Sequence, residues 1–138
     1  MAGYSATPLT KKLGIKEGFR VALRRAPAGF TRRLAPLPRG AKILSRIGKD
    51  MNLLLLFAGR RAQLERDFAR LAASLTPSGM LWVGWPKKSS GVQTDLSFDV
   101  VQKLGLGEGL VDNKICALDD TWSGLRFVYR LKDRKGLR

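Results

Sequence analysis

The chain has 138 residues, 44 % of them hydrophobic and 27 % charged, which suits one globular α/β-sized domain with a real core. It has no histidine and one cysteine, Cys116. That excludes Ser-His-Asp and Cys-His catalysis, histidine-ligated metals, a cysteine-built zinc site and an intramolecular disulfide. The formal net charge is +15, from 26 basic and 11 acidic residues, and it is uneven: residues 1–40 carry nine Lys or Arg against Glu17, and residues 126–138 carry six against Asp133.

In chain order, residues 7–14 read as a short helix, with Thr7 as its cap, Pro8 in its first turn and Gly14 as its stop. Residues 19–24 alternate as a strand and are broken by Ala26-Pro27-Ala28-Gly29. Residues 31–37 suit one or two helical turns, and residues 41–47 a second strand. The apolar run 51–58 has the length of a strand covered on both faces, as in a parallel sheet.

Residues 60–75 give the clearest helix. Leu64, Phe68, Leu71 and Leu75 form one apolar stripe, and Arg61 pairs with Glu65 four residues on. Thr76-Pro77-Ser78-Gly79 ends this helix and introduces a strand over 80–85, stopped by Pro86. A short helix follows, capped by Asp95 or Ser97 and closed by Gly105. Residues 110–118 form a strand, 119–124 a loop and 125–131 a final antiparallel strand. Residues 1–131 are therefore expected to form one α/β domain with a mostly parallel sheet and an antiparallel C-terminal strand, followed by a flexible basic tail over 132–138. Cys116, inside a predicted strand, reads as a buried small apolar residue.

The longest apolar stretch, 53–58, is far short of the ~20 residues of a membrane-spanning helix, and residues 1–13 lack the apolar core of a signal peptide. These features predict a cytoplasmic protein with no membrane partner.

The order of elements resembles the class I methyltransferase core, a Rossmann-like fold. The pieces that carry this are residues 13–21 (LGIKEGFRV), residues 75–83 (LTPSGMLWV) and the closing pair of strands at 110–118 and 125–131. A closer resemblance is to the bacterial family called domain of unknown function 3052. It rests on residues 2–9 (AGYSATPL), 85–91 (WPKKSSG), 94–96 (TDL) and 121–127 (TWSGLRF), and it implies no particular activity.

The methyltransferase resemblance implies S-adenosylmethionine cradled on a glycine-rich turn after the first strand, with an acid after the second strand on the ribose hydroxyls. Here the first turn is Arg24-Arg25-Ala26-Pro27-Ala28-Gly29-Phe30, with one glycine, two arginines and a proline that removes a donor. The acid nearest the second strand is Asp50, which also suits a cap before the next strand. No cofactor and no methyltransferase activity are expected from these residues. Asp119 and Asp120 are adjacent and, if extended, face opposite ways, so they make no general acid–base pair.

Open α/β sheets bind ligands at the carboxyl ends of their strands. Those ends bring together Arg60, Trp85, Lys87, Lys88, Ser89, Ser90, Asp119, Thr121 and Trp122. One reading is a pocket for a small anionic ligand, with Lys and Arg holding a phosphate or carboxylate and Trp122 stacking on a base. The other is structural: Lys87 pairing with Asp119, both tryptophans in the core and Ser89-Ser90-Gly91 as a turn. Three functions compete: a non-catalytic binding protein with an altered methyltransferase-like pocket, a nucleic-acid-associated basic protein, and an atypical S-adenosylmethionine-dependent methyltransferase. The charge serves the second, or solubility alone.

Overall fold

The computed structural model describes residues 7–137; residues 1–6, which hold most of the first family-like segment, and Arg138 lie outside them. The first element, α1 (Leu9–Leu13), has Pro8 at its N-cap position with no side-chain cap, in place of the expected Thr7 cap, and ends on Gly14 at φ 91°. Then follow β1 (Arg20–Arg24), a 3-10 turn (Phe30–Leu34), β2 (Lys42–Ile43), β3 (Met51–Phe57), α2 (Arg61–Ala73) and β4 (Leu75–Pro86). The chain closes with a 3-10 turn (Lys88–Ser90), α3 (Phe98–Gly107), β5 (Leu110–Ala117), β6 (Trp122–Tyr129) and a further 3-10 stretch (Leu131–Leu137). In that last stretch, within the predicted flexible tail, Arg134 Nε donates to Tyr129 O at 3.1 Å.

The six strands form one sheet in the order β2-β1-β3-β4-β6-β5. β1, β2, β3 and β4 are parallel, and β6 runs antiparallel to both β4 and β5. This is the predicted mixed sheet. β3 is central because every residue of it but Asn52 is buried. Leu54 and Leu56 pack on the face covered by α2 and α3, with Leu64, Phe68 and Leu71. Leu53, Leu55 and Phe57 pack on the other face, with Leu13, Phe30, Leu34 and Trp82. Two apolar faces on one strand explain the unbroken hydrophobic run.

The expected strand 41–47 shortens to two residues. β2 is an edge strand with one partner; Leu44 N still donates to Val21 O at 2.7 Å, and beyond it the pairing stops, with Leu44 and Ile47 packing against the core cluster that includes Leu64, Phe68 and Leu71. β4 begins five residues earlier than expected. Its register against β3 passes from Met51↔Leu75 to Leu53↔Met80, so the turn around Pro77 loops out of a continuous strand. A Cβ on Gly79 would lie 2.9 Å from Met51 O, so the loop closes only on glycine. α3 starts on Ser97, whose side chain accepts from Val100 N, and runs through Gly105 to Gly107. β6 starts at Trp122, because Ser123 and Trp122 pair with Trp85 and Pro86. Among the described residues no helix is long and apolar enough to cross a membrane.

Candidate functional site

β3 and β4 end side by side, and their carboxyl ends open into a cleft of about 930 Å3. Arg60 comes from the turn between β3 and α2, Trp85 and Pro86 from the end of β4, and Lys87 and Lys88 from the residues that follow. The far wall is residues 91–98, and β5 and β6 add Ile115 and Ser123.

This wall is tied to the turn between β3 and α2 by hydrogen bonds. Thr94 Oγ1 donates to Gly59 O at 2.7 Å and accepts from Leu96 N at 3.1 Å. Asp95 Oδ1 accepts from Arg61 N at 2.7 Å, capping α2 from outside the helix. Gln63 Oε1 accepts from Gly59 N at 3.0 Å. Threonine and aspartate suit these places because a short oxygen-bearing side chain reaches backbone groups that the helix start leaves open. Three large apolar side chains on the cleft are solvent-exposed: Val92 (50 %), Phe98 (37 %) and Ile115 (55 %). The cleft thus combines an apolar surface with Arg60, Lys87 and Lys88.

The structure divides the nine residues singled out from the sequence. Arg60, Trp85, Lys87 and Lys88 line the cleft. Ser90 Oγ donates to Lys87 O at 2.7 Å and accepts from Val92 N at 3.2 Å, fixing the turn in which exposed Ser89 also sits. Asp119 Oδ1 accepts from Thr121 N and Trp122 N, both at 2.8 Å, an aspartate turn. Asp119 and Thr121 border a separate depression with Arg33, whose guanidinium donates to Leu118 O. Trp122 stands edge-on to Phe57 at 5.2 Å, and Trp85 is 5 % exposed, so both rings pack in the protein. Lys87 meets this region through its backbone, Lys87 N donating to Thr121 O at 2.8 Å, and not through an ion pair with Asp119. Val92, Phe98 and Ile115 were missed. Val92 and Phe98 were legible as apolar residues in a polar stretch, whereas Ile115 reaches the cleft only because β5 folds back on β6.

The turn after β1 is built differently. Arg25, at φ 59°, carries its guanidinium to Asp67 on α2 at 2.5 Å. Arg24 and Arg70 approach the same carboxylate at 3.6 and 3.0 Å. Asp67 is fully buried. Burial alone would raise its carboxyl, but the Arg25 hydrogen bond and the charges of Arg25, Arg24 and Arg70 outweigh that and hold it below its ordinary value. Cys116 is partly exposed on β5, against the expectation of full burial. Its thiol is pushed up by desolvation in spite of Lys114, Lys12 and Arg126, the opposite of activation.

The fold is a methyltransferase-like Rossmann fold. Among solved structures, the chain is similar to a possible exported protein from Bordetella parapertussis (TM-score 0.62, 11 % identity, 88 % of this chain) and spans 64 % of that protein. It is also similar to a DhpI–SAH complex (TM-score 0.62, 9 % identity, 88 % of this chain and 81 % of the other). A third is a TehB-like SAM-dependent methyltransferase from Corynebacterium glutamicum (TM-score 0.55, 11 % identity, 94 % and 91 %). At these identities the likeness is one of fold. The chain matches no protein-family model and no curated protein.

Proposed function

We propose that this protein is a non-catalytic binding module that holds an anionic, partly apolar ligand in the cleft at the ends of β3 and β4. The observation that carries the reading is the placement of Arg60, Lys87 and Lys88 around exposed Val92, Phe98 and Ile115. Cations on an apolar surface recognise a charged head attached to an apolar body. Residues 85–91 and 94–96, which carry the resemblance to domain of unknown function 3052, border this cleft, and we read the chain as a member of that family on those segments.

Methyl transfer is the second reading, favoured by the fold of the neighbours, one of which is described with bound SAH. Against it stand the residues of the first two strand ends. The turn after β1 holds two arginines paired to Asp67, and β2 is followed by Leu44-Ser45-Arg46; the next acid, Asp50, stands at the start of β3, which in this parallel sheet is the end opposite the one where a ribose would sit. S-adenosylmethionine, whose sulfonium and ammonium outnumber its carboxylate, gains nothing electrostatically at such an edge.

Fluorescent titration with anilinonaphthalene sulfonate, an apolar anion, tests the first reading against S-adenosylhomocysteine binding by calorimetry. The expected result is saturable dye binding that Lys87→Ala/Lys88→Ala weakens about tenfold, as for loss of charge-assisted contacts, without lowering the unfolding midpoint. Equal dye affinity in both proteins would overturn the cleft reading. Tight S-adenosylhomocysteine binding would restore the methyltransferase one.

A further inference from the structure

We propose that a second depression, between the end of β1, the chain after β2 and the last turns of α2, is a phosphate-binding site. It has a volume of about 380 Å3 and is lined by Arg24, Arg46, Arg70, Ser45 and Ser74 over a floor that includes Leu71. It shares no residue with the cleft above.

The charge balance of this region carries the argument. Asp67 is the one carboxylate that Arg24, Arg25 and Arg70 all approach, so three guanidiniums meet one negative charge and two positive charges are left over. Arg46 adds a third positive charge, and among the described residues it has no hydrogen-bond or ion-pair partner. Arg24 Nε is itself buried and faces Asp67 at 3.6 Å, within ion-pair range but too far for a hydrogen bond, while the Arg24 side chain as a whole is 42 % exposed. Buried donors are nearly always satisfied by a hydrogen bond, so Asp67 alone leaves Arg24 incompletely neutralised.

A phosphate monoester brings close to two negative charges and three acceptor oxygens to neutral solution. Arginine forks pair with such oxygens two at a time, and the Ser45 hydroxyl stands on the same rim. Asp67 has a further consequence here. By fixing Arg24, Arg25 and Arg70 it removes much of the side-chain entropy that binding would otherwise cost.

Calorimetry with inorganic phosphate at low salt tests the proposal, in a Lys87→Ala/Lys88→Ala background so that the cleft contributes no lysine. The expected result is binding that Arg46→Ala weakens about tenfold and Arg46→Lys partly restores, the charge returning without the fork. Because Arg46 is exposed and outside the Asp67 cluster, the unfolding midpoint of the phosphate-free protein stays unchanged. A short DNA duplex in a salt series then separates the sources of the group. If Arg46→Ala lowers the log–log salt slope by about one, the site takes a backbone phosphate; an unchanged slope assigns it to a small phosphomonoester. Equal phosphate affinity with and without Arg46, or no binding in the parent, overturns the proposal and leaves the cleft reading untouched.

Discussion

At the end of β1 the chain turns through Arg25 at φ 59°, and two consecutive arginines swing onto the buried Asp67. At the end of β4 the chain passes Pro86, and two consecutive lysines stay at the rim of an open cleft. Both ends lie in one sheet and both present paired cations, so the difference lies in what the neighbouring acids do. Near β1 the acid is buried on a helix face, and its partners among the described residues are guanidiniums. Near β4, Asp95 and Asp119 are engaged by backbone amides, Asp95 at the start of α2 and Asp119 in its own turn. Cations whose neighbouring acids are taken up by amides keep their whole charge at the rim, whereas the three guanidiniums around Asp67 share one carboxylate and are held in place by it.

Asp67→Ala breaks this comparison with the largest effect. It should cost about 3 kcal/mol in urea denaturation at neutral pH, the low end for a broken buried ion pair because the three guanidiniums can turn to water. The pH dependence has a definite sign. The folded-state carboxyl of Asp67 lies below its unfolded value, so its contribution is present above the ordinary carboxylate range and is lost as pH falls through the folded value. The variant should therefore lose less stability than the wild type on acidification. A cost below about 1 kcal/mol would mean that the triad does not hold the turn.

Gly105→Ala strikes the open half from behind. α3 carries the cleft wall at Phe98 and packs on β6, where a Cβ on Gly105 would sit 2.1 Å from Phe127 Cε1. The aromatic ring is itself locked edge-on to Phe68 at 5.3 Å and has nowhere to move. Overpacking of this kind should cost about 2 kcal/mol, read as a drop in the unfolding midpoint. A change of less than a few tenths of a kcal/mol would show that α3 shifts freely against the sheet.

What was legible in the sequence follows the reach of each interaction. β3, α2 and the closing antiparallel pair are dictated by local periodicity; β3 and α2 stand within two residues of the pattern, though Leu75 of the expected stripe begins β4, and β6 starts three residues before the expected 125. β2 was over-read because its alternation extends beyond the point where a partner strand stops. Of the site, Lys87 and Lys88 were legible as a charged pair after a strand, but the separation of Asp119 and Trp122 from them depends on the fold-back at Leu118. Asp67 was also readable and went unread. It sits three residues after Leu64 and four before Leu71, on the apolar face of α2, and a carboxylate there must find a cation.

Asp119→Ala removes an acceptor shared by two amides and should cost about 1.5 kcal/mol. Because Asp119 borders a different depression, dye affinity at the cleft should not change. If affinity fell with stability, the cleft would extend to the turn at Asp119 and the separation of the two groups would be lost.

The smallest effect discriminates best. Ser97 both caps α3, accepting from Val100 N at 3.3 Å, and lines the cleft. Ser97→Ala should cost about 1 kcal/mol by leaving an amide of the first turn without its acceptor. Ser97→Asp should keep the stability, since aspartate caps as well as serine and its charge suits the helix start. Yet it places an anion on a rim whose cations are proposed to hold an anion, so dye affinity should fall a few-fold while the unfolding midpoint stays at the wild-type value. At β1 an acid among cations closes the structure; at β4 it should close the site without altering the structure. If Ser97→Asp binds the dye as well as the wild type, the lysines of the cleft are a solvated surface, and the contrast between the two strand ends reduces to which of them has a buried partner.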